Sequence, residues 1–299
     1  MRAVRPLLTV TTGLLLAGCG GADDGDPDLV FVSSRDGEYA IYAASSSGGD
    51  EERLTDADVD ASTPQGLFFQ TEPAWSPDGS TIAFASKRSG SFDLYAVNAD
   101  GSGTRRLTST TVDDGQPTWS PDGERIAFTR GTSGRIFVMA ADGSGARRLT
   151  GEEVDEAEPA WSPDGRFIAY SRKAPGSSVR ELWLVRPDGS ERRRLTRLGG
   201  VAQAPAWSPD GERIVFSANV DNAHFDIYEV GADGKDVRAV TSGDDSFEPS
   251  WSPDGTIAFS SGGAISTIDI ETGEELVLTD PDNNDSSPAW APRLEGEDG

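Results

Sequence analysis

The pentapeptide Trp-Ser-Pro-Asp-Gly occurs five times, beginning at Trp75, Trp119, Trp161, Trp207 and Trp251, and a shortened Trp290-Ala291-Pro292 follows. Successive tryptophans stand 44, 42, 46, 44 and 39 residues apart. That period fits one four-stranded propeller blade, a unit that cannot bury its apolar surface alone and must stack on its neighbours. Within a unit, Pro73-Ala74-Trp75-Ser76 reads as a short first strand and Pro77-Asp78-Gly79 as a turn, proline fixing φ and glycine permitting φ > 0. Ile82-Ala83-Phe84-Ala85, Asp93-Leu94-Tyr95-Ala96-Val97 and Arg105-Arg106-Leu107-Thr108 read as strands two to four, with Asp100-Gly101-Ser102-Gly103 turning between the last two.

The same order returns at Ile126-Ala127-Phe128, Ile168-Ala169-Tyr170, Ile214-Val215-Phe216 and Ile257-Ala258-Phe259. Two fragments are left over. Leu29-Val30-Phe31-Val32, Ala40-Ile41-Tyr42-Ala43 and Glu52-Arg53-Leu54-Thr55 supply strands two to four of a blade without a first strand, and Pro288-Ala289-Trp290-Ala291 is a first strand without a hairpin. Joined, they predict an all-β, six-bladed β-propeller over residues 29–292, closed by one C-terminal strand and three N-terminal strands. One tryptophan per blade at a fixed place is expected to pack between blades. The pairs Arg105/Arg106, Arg147/Arg148 and Arg192/Arg193 fall on fourth strands, where charge protects an open edge.

Composition agrees with this architecture. Of 299 residues, 35 are glycine and 18 proline, with 35% hydrophobic, too apolar for disorder and too rich in turn formers for a helical bundle. The net charge of −25 and pI near 4.3 argue against nucleic acid, which demands a basic stripe, and suit a basic protein partner.

Residues 1–18 read as an export signal: Arg2 and Arg5 precede an apolar stretch from Leu7 to Leu16 that is too short to span a bilayer. It ends in Leu16-Ala17-Gly18-Cys19, which resembles a bacterial lipobox and makes Cys19, the sole cysteine, the expected lipidated residue. Residues 19–28 carry no apolar side chain to dock and read as a flexible tether, and 293–299 as a disordered tail. The expected location is the cell envelope, lipid-anchored: periplasmic, at the outer membrane, or on the outer surface of the cytoplasmic membrane.

At Glu72-Pro73-Ala74-Trp75-Ser76-Pro77-Asp78-Gly79, followed by Ile-Ala-Phe, Leu-Tyr and Leu-Thr strands, the chain resembles the TolB-type propeller family from Leu29 to Pro292. The resemblance implies a cell-envelope propeller that binds other proteins through one face and its central channel. It departs in two respects: TolB-type proteins carry an additional N-terminal α/β domain, for which no residues stand between Cys19 and Leu29, and this chain itself reads as a lipoprotein.

Binding residues are expected on the irregular face, where the links between blades run. The link from Asp56 through Gln70 is the longest and contains Phe68 and Phe69, an aromatic pair suited to anchoring a partner. The residue before each first-strand proline runs Glu72, Gln116, Glu158, Ala204, Glu248, Ser287, which sets carboxylates in alternate blades near the channel mouth; Phe247 and His224 belong to the same face. These carboxylates suit a partner's Lys or Arg, or Ca²⁺. Asp56-Ala57-Asp58-Val59-Asp60 departs from a calcium loop, lacking the next glycine and placing Leu67 where a bidentate Glu belongs. With one histidine, no G-x-S-x-G and Cys19 committed to lipid, no catalytic residue and no cofactor is expected. The predicted role is a monomeric scaffold for an envelope protein, a lipoprotein or a basic protein; a carbohydrate-binding or carbohydrate-active propeller using the channel carboxylates is the alternative.

Overall fold

A computed structural model describes residues 28–47, 51–56, 72–151, 154–220, 224–243 and 245–293. Strand pairing among them gives four four-stranded sheets and one eight-stranded sheet. Strands consecutive in the chain pair antiparallel, and the short turns between them fix the order of neighbours. Thr81–Ser86 pairs with Ala74–Trp75 on one side and with Asp93–Asn98 on the other, and Arg105–Arg106 forms the outer edge. The eight-stranded sheet is two such meanders joined by one parallel bridge, Arg180 to Val201. At the chain's other end, Ser286–Trp290 pairs antiparallel with Leu29–Ser33, Leu29 facing Trp290 and Val30 facing Ala289.

The innermost strands touch in succession: Ala74–Trp75, Asp114–Trp119, Glu156–Trp161, Val201–Trp207, Ser246–Trp251, Ser286–Trp290, then Ala74–Trp75 again. The small sheets therefore stand in a ring, the arrangement of a β-propeller. Second strands are covered on both faces by neighbouring sheets, so Ile82, Phe84, Ile126, Phe128, Ile214 and Phe216 are almost wholly buried although they alternate in direction. The tryptophans join successive sheets. Trp119 packs against a buried cluster that spans its own sheet and the preceding one, Ala83, Leu94 and Ile126 among its members, and its indole Nε1 donates to the Ala74 carbonyl at 3.1 Å; Trp207 donates to the Ala160 carbonyl at the same distance.

The recurrent turn has its own physical logic. Ser76 Oγ donates to Asp78 Oδ1 at 2.6 Å and accepts from Thr81 N at 3.0 Å, while Gly79 takes φ 67°. Ser120 with Asp122 and Ser208 with Asp210 repeat the first bond at 2.5 Å. These hydroxyl bonds hold the carboxyls of Asp78, Asp122 and Asp210 below their ordinary range.

Two expected boundaries move. The outer strand of the unit that begins at Trp161 is Arg193–Arg194, one residue later than the Arg192/Arg193 pair. First strands begin earlier than their prolines: Asp114–Trp119, Glu156–Trp161 and Ser246–Trp251 run through the residue before Pro, because a β-bulge there absorbs the proline's missing N–H.

Candidate functional site

The bulge is what builds the site. Gln116, Glu158, Ala204, Glu248 and Ser287 all take φ between 49° and 57°, the left-handed region. Their strands shift register there, between Gly115 and Thr118 in the first case and at the corresponding places in the others. A residue so placed turns out of the ladder, and its amide needs a partner from elsewhere.

The partners come from the preceding sheet. Glu158 N donates to Gln116 Oε1 at 3.0 Å, Ala204 N to Glu158 Oε2 at 2.9 Å, and Ser287 N to Glu248 Oε2 at 2.8 Å. Gln116 Nε2 reaches Glu72 Oε1 at 3.3 Å. Where the preceding position is Ala204, which has no acceptor, Glu248 N turns to Ser217 Oγ at 3.0 Å. Second strands contribute further hydroxyls: Ser171 Oγ donates to Glu158 Oε2 at 2.7 Å, and Thr129 Oγ1 accepts from Glu158 N at 3.2 Å. The Glu and Gln side chains thus fasten one sheet to the next at the axis.

Together they line a cavity of about 310 Å³ whose wall also includes Trp161, Trp207 and Trp251. Glu72, Gln116, Glu158 and Glu248 all face it, and no basic side chain lines it among the described residues. Removal from water pushes the Glu72 carboxyl well above the ordinary range, and the charges of Glu248 and Glu158 push it further. Burial also raises Glu248, partly offset by its bonds from Ser287. The cavity is therefore an acidic socket that holds like charges near one another. Among the described residues no group of three or more His, Cys, Asp or Glu is placed to hold a metal ion, since each carboxylate is directed to its own blade junction.

The four channel residues singled out from the sequence come together, Gln116, Glu158 and Glu248 inside first strands and Glu72 two residues before Ala74–Trp75. His224 and Phe247 do not line the cavity. His224 is exposed, with Nδ1 3.8 Å from Asp245 Oδ1. Phe247 packs against Phe225 with ring centroids 5.1 Å apart and the rings tilted by 39°, at the junction of two sheets. Phe68, Phe69, Cys19 and most of the calcium-like Asp56 to Asp60 stretch lie outside the described residues. Sequence reasoning missed the hydroxyls of Thr129, Ser171 and Ser217, although one signal existed: each directly follows the aromatic residue of an Ile-Ala-Phe-type strand.

The family described as the TolB beta propeller domain matches residues 65–180 and 159–295. Among solved structures, TolB from Acinetobacter baumannii is similar with a TM-score of 0.75 at 22% identity, covering 89% of this chain and 67% of that one. A putative TolB from Agrobacterium tumefaciens gives 0.65 at 20% identity, covering 90% and 100%. Hydrazine synthase of Kuenenia stuttgartiensis gives 0.71 at 16% identity, covering 89% of this chain and 47% of that one, so the fold also serves within an enzyme. With the tryptophan-centred repeats, the ring of small antiparallel sheets and a family match over most of its length, this chain belongs to the TolB β-propeller family.

Proposed function

We propose that the protein is a cell-envelope binding scaffold that receives a partner protein at the channel mouth and irregular face. The observation that carries this is the acidic socket: Glu72, Glu158 and Glu248 surround a preformed cavity with no basic side chain in its wall among the described residues. A partner's Lys or Arg inserted there would offset the burial, and after it the charges of Glu248 and Glu158, that together raise Glu72. Family membership supports an interaction module rather than an enzyme.

The same reading takes the ring as six blades. The single parallel bridge between the two halves of the eight-stranded sheet supports counting it as two, and the pairing of Ser286–Trp290 with Leu29–Ser33 supports closure by the chain's two ends. It takes Cys19 as a lipid anchor at the envelope surface, on the strength of the preceding Leu16-Ala17-Gly18. Cys19→Ser should release the protein from the membrane fraction; unchanged membrane retention would remove the anchor.

Crosslinking in intact cells tests the contact. Wild type should yield one protein adduct, and both Glu158→Gln/Glu248→Gln, which keeps one acceptor oxygen at each site, and Phe68→Ser/Phe69→Ser should weaken it. The same adduct at the same yield in all three would dismiss this surface.

A further inference from the structure

The outer edge of one sheet differs from all its counterparts in a way the channel does not explain. Outer strands elsewhere are Glu52–Arg53, Arg105–Arg106, Arg147–Arg148, Arg193–Arg194 and Arg238–Ala239, each with at least one arginine. Those arginines are employed. Arg105, Arg147 and Arg193 reach the carbonyls of Ala141, Pro187 and Ala232 in the next sheet, and Arg106 and Arg194 pair with Asp93 and Glu181 on their own third strands. Counting back from the Leu-Thr pair, Val240-Thr241 in one case, that ends each unit, Leu276 and Val277 occupy these two positions in Glu275–Val277. They are 53% and 58% exposed, and everything from Glu271 to Val277 is exposed.

The backbone is open as well. Asp269 N donates to Glu274 O and Leu278 N to Ile265 O, so the antiparallel alternation turns Leu276 inward to Thr267. The N–H and C=O of Glu275 and Val277 then point away from the sheet. An edge strand with two adjacent exposed apolar side chains and no lysine, arginine or proline is a template for another strand.

We propose that Glu275–Val277 is a β-augmentation site for an extended segment of a second protein, apolar at its centre and flanked by Lys or Arg. Charge selects this occupant. Glu271, Glu274 and Glu275 border the apolar pair and Asp280 and Asp282 follow, so a basic flank is attracted on both sides. A second copy of this chain would set those same acids against each other, on a molecule of net charge −25.

The probe is a fluorescein-labelled peptide of alternating valine and threonine with two lysines at each end. Fluorescence anisotropy at low salt should show saturable binding to the wild-type protein. Leu276→Arg/Val277→Arg should weaken it by about tenfold or more while leaving the thermal midpoint unchanged, because a charged edge repels the strand. Hydrogen exchange should show new protection at Glu275 and Val277 when the peptide is present, whereas Glu158→Gln/Glu248→Gln should bind it as wild type does. Equal binding by the arginine variant, absence of saturable binding, or wild-type dimerisation lost in that variant would each overturn the proposal.

Discussion

Glu72 lines the channel beside two other carboxylates, Glu158 and Glu248. Its carboxyl is raised by removal from water and by Glu248 and Glu158. An acid whose folded pKa exceeds its unfolded one holds its proton more tightly when folded. The fold is therefore favoured below the ordinary carboxyl range and loses that advantage as pH climbs through the raised value. Glu72→Gln is expected to raise the thermal midpoint by about 2 °C or more near pH 8 and to leave it unchanged near pH 4, as read by calorimetry. Trp161 is a different case, governed by volume: it is 7% exposed and its ring lies 4.9 Å from Arg125 Cζ of the preceding unit. Trp161→Ala should cost about 3 to 5 kcal/mol in chemical denaturation, the range for an emptied aromatic site.

At the scale of the element, the turns do more than reverse the chain. Ser208 Oγ donates to Asp210 Oδ1 at 2.5 Å and accepts from Arg213 N at 2.9 Å, so Ser208→Ala loses both bonds. A cost of about 1 kcal/mol is expected near pH 7. The bond depresses the Asp210 pKa, so its contribution is present above the ordinary 3.8 and disappears as pH falls through the lowered value; the cost should shrink accordingly in acid. The Asp-Gly-Ser-Gly hairpins carry a second constraint. Gly143 has φ 91°, and a Cβ there would stand 2.3 Å from the Leu107 carbonyl of the neighbouring sheet; Gly101 meets Leu54 in the same way at 2.6 Å. Gly143→Ala is expected to destabilise by about 2 kcal/mol, through a positive φ and a forced separation of sheets, and denaturant titration measures it.

For the whole molecule, the consequential pairing is Ser286–Trp290 with Leu29–Ser33, which ties residues from opposite ends of the chain. Leu29 and Phe31 lie fully buried in a cluster with Ala258 and Ile265, and Trp290 packs against it. Removing the chain from Pro288 onward should uncover Leu29–Ser33 along its length and lower the thermal midpoint of the entire ring in a single transition. A truncated protein that melts as wild type does would show that the two ends are not structurally joined. Such a ring brings Gln116, Glu158 and Glu248 to its channel on paired strands.

What the sequence determines by itself is local and periodic: repeat length, turn chemistry, strand order within a unit, and which face of each strand is apolar. Trp75 through Gly79 specify a turn whatever surrounds them, because proline, glycine and the Ser-Asp bond act within five residues. Glu158 is the opposite case. Its sequence neighbours reveal a carboxylate before a proline, but its bulged backbone and its bond to Ala204 N, 46 residues onward, exist only because the next sheet stands beside it. The same holds for the outward strand Glu275–Val277, whose lack of arginine is visible in the sequence but whose open backbone follows from pairing register. Contacts within a repeat are encoded by short-range sterics and hydrogen bonding, whereas contacts between repeats depend on ring geometry, so the axis and the rim were decided by tertiary structure alone.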